Sequence, residues 1–203
     1  FHLPTKSARR RTRVCRLRAV WKSSVEISTE VTDPGPDGTG RFVAKAAALP
    51  IDNRLLQALP AKTRAVVESF AAEGTVGGYL ISQRESPDTD WQKQYVVDLQ
   101  DISVQYKPFP YPIQGIRGRL RGINDAWVFE DLVGTNDSAT IRGQGRLDPT
   151  PDGPEVTMQL AAELIPLDDE LRNSMPAHLQ NVWRQIKPNG VVNLISRIRF
   201  LPA

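Results

Sequence analysis

The chain repeats itself. Asp33-Pro34-Gly35-Pro36-Asp37-Gly38 returns as Asp148-Pro149-Thr150-Pro151-Asp152-Gly153, 115 residues later. After a one-residue slip, Pro50, Asp52, Leu55, Pro60, Ala61, Val66, Gly74 and Val76 recur at a spacing of 116 as Pro166, Asp168, Leu171, Pro176, Ala177, Val182, Gly190 and Val192. Leu80-Ile81-Ser82 returns as Leu194-Ile195-Ser196. Average residue usage predicts roughly one or two chance identities in such a window, so the echo is an internal duplication. A duplicated element made mostly of strand and turn implies an extended array and argues against an enclosed catalytic pocket.

Period-two alternation dominates the body. From Glu155 to Leu164, Val156, Met158, Leu160, Ala162 and Leu164 fall on one side, with Thr157, Gln159 and Glu163 on the other, the pattern of a sheet with one buried face. Ser138 to Leu147 sets Ile141, Gly143, Gly145 and Leu147 against Thr140, Arg142, Gln144 and Arg146, and Ile116 to Gly122 sets Ile116 and Leu120 against Arg117, Arg119 and Arg121. Between Gln94 and Tyr106 the apolar positions switch parity, from Tyr95, Val97 and Leu99 to Ile102, Val104 and Tyr106. A β-bulge near Gln100-Asp101 restores all six to one face. Trp127 to Val133 is strand-like with no assignable face. Lys107-Pro108-Phe109-Pro110-Tyr111-Pro112 lacks three ladder donors and is expected to be a loop or an edge. Clusters at Gly122–Asp125, Asn136-Asp137 and Pro149–Pro154 have hairpin length, and connections that short require antiparallel order.

The duplicated segment has another character. Asp52 and Asp168 stand where a helix N-cap belongs, and Pro60 and Pro176 fall at the start of a second helical piece. Leu179, Val182, Trp183 and Ile186 follow i, i+3, i+4, i+7, and Lys187-Pro188-Asn189-Gly190 stops the helix. Val66, Val67 and Phe70 form a weaker version. The expected fold is therefore mainly β, an antiparallel sheet with a short amphipathic helical insert in each repeat.

Organisation follows from the repeat and the charge. Lys6, Arg9, Arg10, Arg11, Arg13, Arg16, Arg18 and Lys22 precede the first acid, Glu26, leaving 18 basic and 23 acidic residues in a mildly acidic remainder. Residues 1–24 are expected to be a basic disordered arm, 25–90 the C-terminal part of a first repeat, and 91–203 a second repeat with the start of a third. The whole is expected to be a segment of a longer repetitive protein. One cysteine, Cys15, makes neither an internal disulfide nor a four-cysteine zinc site. No run approaches the roughly 18 apolar residues of a membrane-spanning helix.

Candidate chemistry is thin. The histidines are His2 and His178, with no nucleophile elbow and no His-Glu-x-x-His helix. Gly74-Thr75-Val76-Gly77-Gly78 lacks the Lys of a phosphate loop, and Gly143-Gln144-Gly145 lacks the third glycine of a dinucleotide site; strand glycines point to close packing or bends. Asp168-Asp169-Glu170 fits acids in a first helical turn better than a cation site. Arg117, Arg119, Arg121, Arg142 and Arg146 form a basic stripe that reads as a solvated outer face, with contact to anionic headgroups or RNA as the alternative. No enzyme activity, metal, cofactor or nucleic-acid partner is expected.

Taken together, Tyr95-Val96-Val97-Asp98-Leu99, Ile113-Gln114-Gly115-Ile116-Arg117-Gly118, Ala139-Thr140-Ile141-Arg142-Gly143-Gln144-Gly145 and Pro166-Leu167-Asp168 with its helix resemble the AsmA/TamB-like repeat proteins of bacterial envelopes. The resemblance spans about residues 25–200. It implies an extended, curved antiparallel sheet forming an open groove whose apolar interior carries or shields lipid acyl chains, phospholipid among them, between inner and outer membranes. It also implies a periplasmic location, with an inner-membrane anchor in parts of the protein outside this segment. Ile102, Val104, Ile116, Leu120, Ile141, Leu147, Val156, Met158 and Leu160 are the residues expected to line that groove. The alternative from the residues alone is a structural or adhesive β-repeat protein with a filled core and no ligand. A nucleic-acid binder acting through the arm and the arginine stripe is a third reading, and it requires affinity that falls steeply with salt.

Overall fold

Each strand of this chain finds its partner next to itself in sequence. The computed structural model describes residues 14–21, 25–33 and 35–200. Ten strands, β1 (Val14–Trp21), β2 (Val25–Thr32), β3 (Thr39–Pro50), β4 (Glu73–Arg84), β5 (Gln92–Tyr106), β6 (Phe109–Ile123), β7 (Ala126–Asn136), β8 (Ala139–Thr150), β9 (Gly153–Pro166) and β10 (Val191–Phe200), pair antiparallel in sequence order. The result is an open meander with β1 and β10 at its edges. Short turns dictate that order, because two residues of connection allow only an antiparallel neighbour. Asn124 (φ 51°) and Asp137 (φ 46°) supply the left-handed conformation that two of these turns need.

Two connections are longer. α1 (Asn53–Ala58) and α2 (Ala61–Ser69) lie between β3 and β4, and α3 (Asp169–Ser174) and α4 (Ala177–Ile186) between β9 and β10. Since connections in a meander alternate ends, both helix pairs sit at the same end of the sheet. Asp52 caps α1, its carboxylate accepting from the amides of Arg54 and Leu55 at 2.9 and 3.0 Å, and Asp168 caps α3 through the amide of Leu171 at 2.9 Å. Pro60 and Pro176 precede the first residues of α2 and α4, where a missing N–H costs nothing. Arg64 donates to the Leu56, Gln57 and Leu59 carbonyls at the end of α1. Gln180, 116 residues on, donates to the Met175 carbonyl at 2.8 Å at the end of α3.

Four sequence expectations need correction or completion. Residues 1–24 are not unstructured throughout, because Val14–Trp21 is an edge strand, with Leu17 opposite Thr29 and Ala19 opposite Ile27. Its cause is a period-two pattern, Cys15, Leu17, Ala19 and Trp21 alternating with Arg16, Arg18 and Val20, that the density of arginines disguises. The rest of that arm, residues 1–13 and 22–24, lies outside the described residues. Pro110 and Pro112 lie inside β6, an interior strand, and not in a loop. They are tolerated because the β7 ladder first meets β6 at Gln114, so neither proline faces a β7 acceptor. Leu164 (φ 57°) is a bulge residue and is exposed, while its neighbour Ile165 is the buried one. In α4, only Trp183 of the apolar stripe packs on the core; Leu179, Val182 and Ile186 are exposed.

The densest core lies under α3 and α4. Tyr111, Ala139, Ala162, Ile165 and Leu171 are buried together, flanked by Ile141, Leu167, Met175 and Trp183.

Candidate functional site

Residues paired across antiparallel strands share a face, so the register sorts every side chain. On β8 and β9, Ile141, Gly143, Gly145 and Leu147 pair with Ala162, Leu160, Met158 and Val156. On β6 and β5, Leu120 pairs with Val97, Gly118 with Leu99, Ile116 with Ile102 and Ile113 with Val104. The parity switch in β5 is absorbed between Leu99 and Ile102, where Asp101 has φ 59°, so Tyr95, Val97, Leu99, Ile102, Val104 and Tyr106 do share one face. Following the register from β5 to β9 brings Ile102, Val104, Ile116, Leu120, Ile141, Leu147, Val156, Met158 and Leu160 to the same face. Ile102 and Val156 are buried and the other seven half-buried.

The same face holds residues that alternation alone did not find. Trp127 pairs with Leu147, Phe129 with Gly145 and Leu132 with Gly143, separated by a bulge at Asp131 (φ 51°). Glu130-Asp131 interrupts the apolar pattern of β7 as Gln100-Asp101 interrupts that of β5 and so marks the bulge, but with Val128 and Val133 on the other parity it does not choose the face. Glycines set the depth of this surface. Gly122 lies between Tyr95 and Trp127 in register, and their rings stack across it with centroids 5.0 Å apart. A Cβ on Gly122 would stand 2.9 Å from the indole. At Gly145 the corresponding position is 2.5 Å from Met158 Sδ, and at Gly143 it is 3.1 Å from Leu160 Cδ2. The large side chains of flanking strands thus lean over the glycines of β6 and β8.

The described strands form a single sheet, so no second sheet lies against this face, and α3 with α4 covers only one end of it. At that end the Tyr111 hydroxyl donates to Asn136 Oδ1 at 3.0 Å. Asn136 Nδ2 donates to the Pro112 carbonyl and to Glu170 Oε2, each at 2.9 Å. All three hydrogen-bonding groups of the buried Asn136 side chain used here are satisfied, which ties α3 to β6 and β7. Burial, then the carboxylates of Asp168, Glu170 and Asp137, pushes the Tyr111 phenol up to about 12. Burial and Asp125 also raise Tyr95.

The opposite face is polar and charge-compensated. Arg119 binds Asp98 at 2.6 Å, Arg121 binds Glu130 at 2.9 Å, Arg142 reaches Glu163 at 3.5 Å and Arg146 binds Asp148 at 2.8 Å. Four of the five arginines of the basic stripe are therefore paired with acids on the same face. Such exposed pairs add little to stability, being screened by water and salt, and they neutralise these four guanidinium charges locally. Asp168 and Glu170 serve the cap and Asn136, while Asp169 pairs with Arg172. Among the described residues no group of three His, Cys, Asp or Glu side chains could hold a metal ion, and no helix is long and apolar enough to cross a membrane. His178 is exposed on α4.

Family models, curated proteins and solved structures give no match to this chain.

Proposed function

We propose that this chain is a segment of an AsmA/TamB-like envelope protein, in which the apolar sheet face is the floor of an open groove that carries lipid acyl chains between membranes. In this reading the helix pairs are one insert per repeat along the groove, and the cargo is phospholipid. The protein works in the periplasm, held at the inner membrane by parts outside this segment. The observation that carries it is the two-sidedness of the sheet. One face is apolar across at least five consecutive strands and, among the described residues, bears no second sheet, while the other is lined with ion pairs. A surface of that kind lowers the cost of moving an acyl chain through water by about 0.8 kcal/mol per methylene, on the order of 10 kcal/mol for a dozen. The mechanism is passive, with no bond made or broken, and the paired charges keep the outer face wetted.

A filled-core structural repeat is the second reading, favoured by the glycines of β6 and β8, over which Trp127, Met158 and Leu160 lean. One experiment separates the two. A photo-crosslinking residue at Ile141 or Leu160 in cells captures lipid if the face is a groove, while one at Arg119 or Gln159 on the polar face does not. Leu160→Asp obstructs transport while the protein remains abundant and protease-resistant, because an unpaired carboxylate in an apolar furrow costs several kcal/mol to desolvate. Absence of a lipid adduct at both inward positions in folded protein leaves the filled-core reading.

A further inference from the structure

Each helix pair hands over to the strand that follows it at a residue–glycine step, Glu73-Gly74 in the first copy and Asn189-Gly190 in the second. The glycine carbonyl pins the start of the pair to its end in both. The amide of Ile51 donates to the Gly74 carbonyl and the amide of Leu167 to the Gly190 carbonyl, each at 2.9 Å. What differs is the residue before the glycine, and Asn189-Gly190 is the single Asn-Gly dipeptide of the chain.

An asparagine followed by glycine is open to attack on its side-chain amide by the next backbone nitrogen, because no Cβ shields the approach and glycine reaches the turned conformations it needs. Gly190 has φ 97°, and no heavy atom lies within 4 Å of where its Cβ would stand. Asn189 and Gly190 are both exposed, and among the described residues the Asn189 side chain has no hydrogen-bond partner and the Gly190 amide no backbone acceptor. Glu73 stays exposed with Ser103 of β5 opposite it, so a strand laid along β10 would leave position 189 in water too. The other six asparagines are held. Asn124 and Asn193 accept from the amides of Lys93 and Leu164, Asn136 is buried, and Asn53, Asn173 and Asn181 lie within helices. Of the two Asp-Gly steps, Gly38 donates its amide to the Gly35 carbonyl at 3.0 Å and Gly153 sits in the ladder opposite Thr150.

We propose that Asn189-Gly190 is a site of spontaneous covalent modification, deamidation to isoaspartate and aspartate, which releases the second helix pair and spares the first. The Gly190 nitrogen attacks Asn189 Cγ, the Cγ–Nδ2 bond breaks, and ammonia leaves with the amide proton, closing a succinimide ring. Water then opens the ring, giving aspartate by addition at Cγ or isoaspartate by addition at the Asn189 main-chain carbonyl. Isoaspartate inserts a methylene into the main chain beside the carbonyl that holds Leu167, and either product sets a negative charge near the C-terminus of α4, where the helix dipole disfavours it. Glu73 carries no amide to lose. The inference does not depend on whether the apolar face carries lipid.

The test ages the full chain for days at physiological pH and temperature, folded and in urea, and follows each asparagine by peptide mass spectrometry with isoaspartyl methyltransferase labelling. In the folded chain Asn189 is expected to convert within about tenfold of its rate in urea, and at least about tenfold faster than any other asparagine. Hydrogen exchange at Leu167 is expected to quicken at least about tenfold in the isoaspartate form while exchange at Ile51 is unchanged. Asn189→Glu, which copies the first repeat, abolishes both the labelling and the drift in exchange. Conversion in the fold more than about tenfold slower than in urea, or no faster than at the other asparagines, overturns the site. Unchanged exchange at Leu167 in isoaspartate-containing chain, or equal drift in the Asn189→Glu variant, overturns the release of the helix pair.

Discussion

Gly145→Ala is expected to destabilise the sheet while Gly143→Ala, two residues away on the same strand and face, leaves it nearly unchanged. At position 145 a methyl group would lie 2.3 Å from the Thr157 carbonyl oxygen and 2.5 Å from Met158 Sδ. The first of these is backbone of the paired strand β9, so the strands must move apart or the ladder must deform. Overpacking of this kind costs about 1–3 kcal/mol, against about 0.5–1 kcal/mol recovered from the lower chain entropy of alanine when unfolded. A net loss of about 1–2 kcal/mol follows. At position 143 the nearest atom is Leu160 Cδ2 at 3.1 Å, with Met158 Cε at 3.6 Å and Leu132 Cβ at 3.7 Å. These are side-chain atoms, and a small rotation of the half-buried Leu160 accommodates the methyl. The two terms then cancel to within about 0.5 kcal/mol. Urea unfolding followed by tryptophan fluorescence measures both, with an unchanged m-value as the condition for comparing them. Met158→Ala combined with Gly145→Ala relieves the thioether contact and leaves the carbonyl contact, so the double-mutant cycle returns a coupling of at least about 0.5 kcal/mol without full rescue. If Gly143→Ala is as damaging as Gly145→Ala, or Gly145→Ala is neutral, close strand approach at the glycines is not what shapes this face.

Leu171→Ala, on α3 in the buried cluster, is expected to cost about 2–4 kcal/mol, and Leu55→Ala at the matching half-buried position of α1 about half as much. Equal losses in urea titrations would mean that the two helix pairs are docked equally well. Tyr111, with its folded-state value raised to about 12 from an ordinary 10, favours the neutral phenol in the fold. Its contribution is intact below pH 10 and disappears as pH rises toward 12, a loss of about 2–3 kcal/mol from 1.36 kcal/mol per unit. Tyr111→Phe removes that alkaline limb from the stability profile, and an unchanged limb in the variant refutes the assignment.

How much was legible beforehand depends on whether a pattern is broken by unambiguous residues. The bulge in β5 was readable because polar Gln100-Asp101 separates two clean apolar series. The bulge at Leu164 was not, since Leu164 and Ile165 are both apolar and either could continue the alternation of β9. In β7, apolar residues occupy both parities, with Val128 and Val133 exposed on the polar face, so only cross-strand register assigns Trp127, Phe129 and Leu132. The nine candidate groove residues fall together on one face because each of the stretches that carry them, Ile102–Val104, Ile116–Leu120, Ile141–Leu147 and Val156–Leu160, alternates without interruption, the bulges of β5 and β9 lying outside them. Whether a stripe is covered is a different kind of question. Leu179, Val182 and Ile186 have the spacing of a buried face, yet what lies over them is decided by neighbours in space, which spacing along a helix does not encode.

The unbroken neighbour-to-neighbour order of the strands has a consequence for how such a chain comes into being. No strand waits for a partner made much later, so each one can dock on the strand just completed as the polypeptide emerges from a ribosome or a translocation channel. Loop-closure entropy is met in small instalments, the largest being the two helical connections, and contact order stays low for an all-β topology of this size. The growing edge is always the newest strand, which confines the aggregation-prone surface to one moving front. A sheet assembled this way can be lengthened by adding units at its end without redesigning anything already folded.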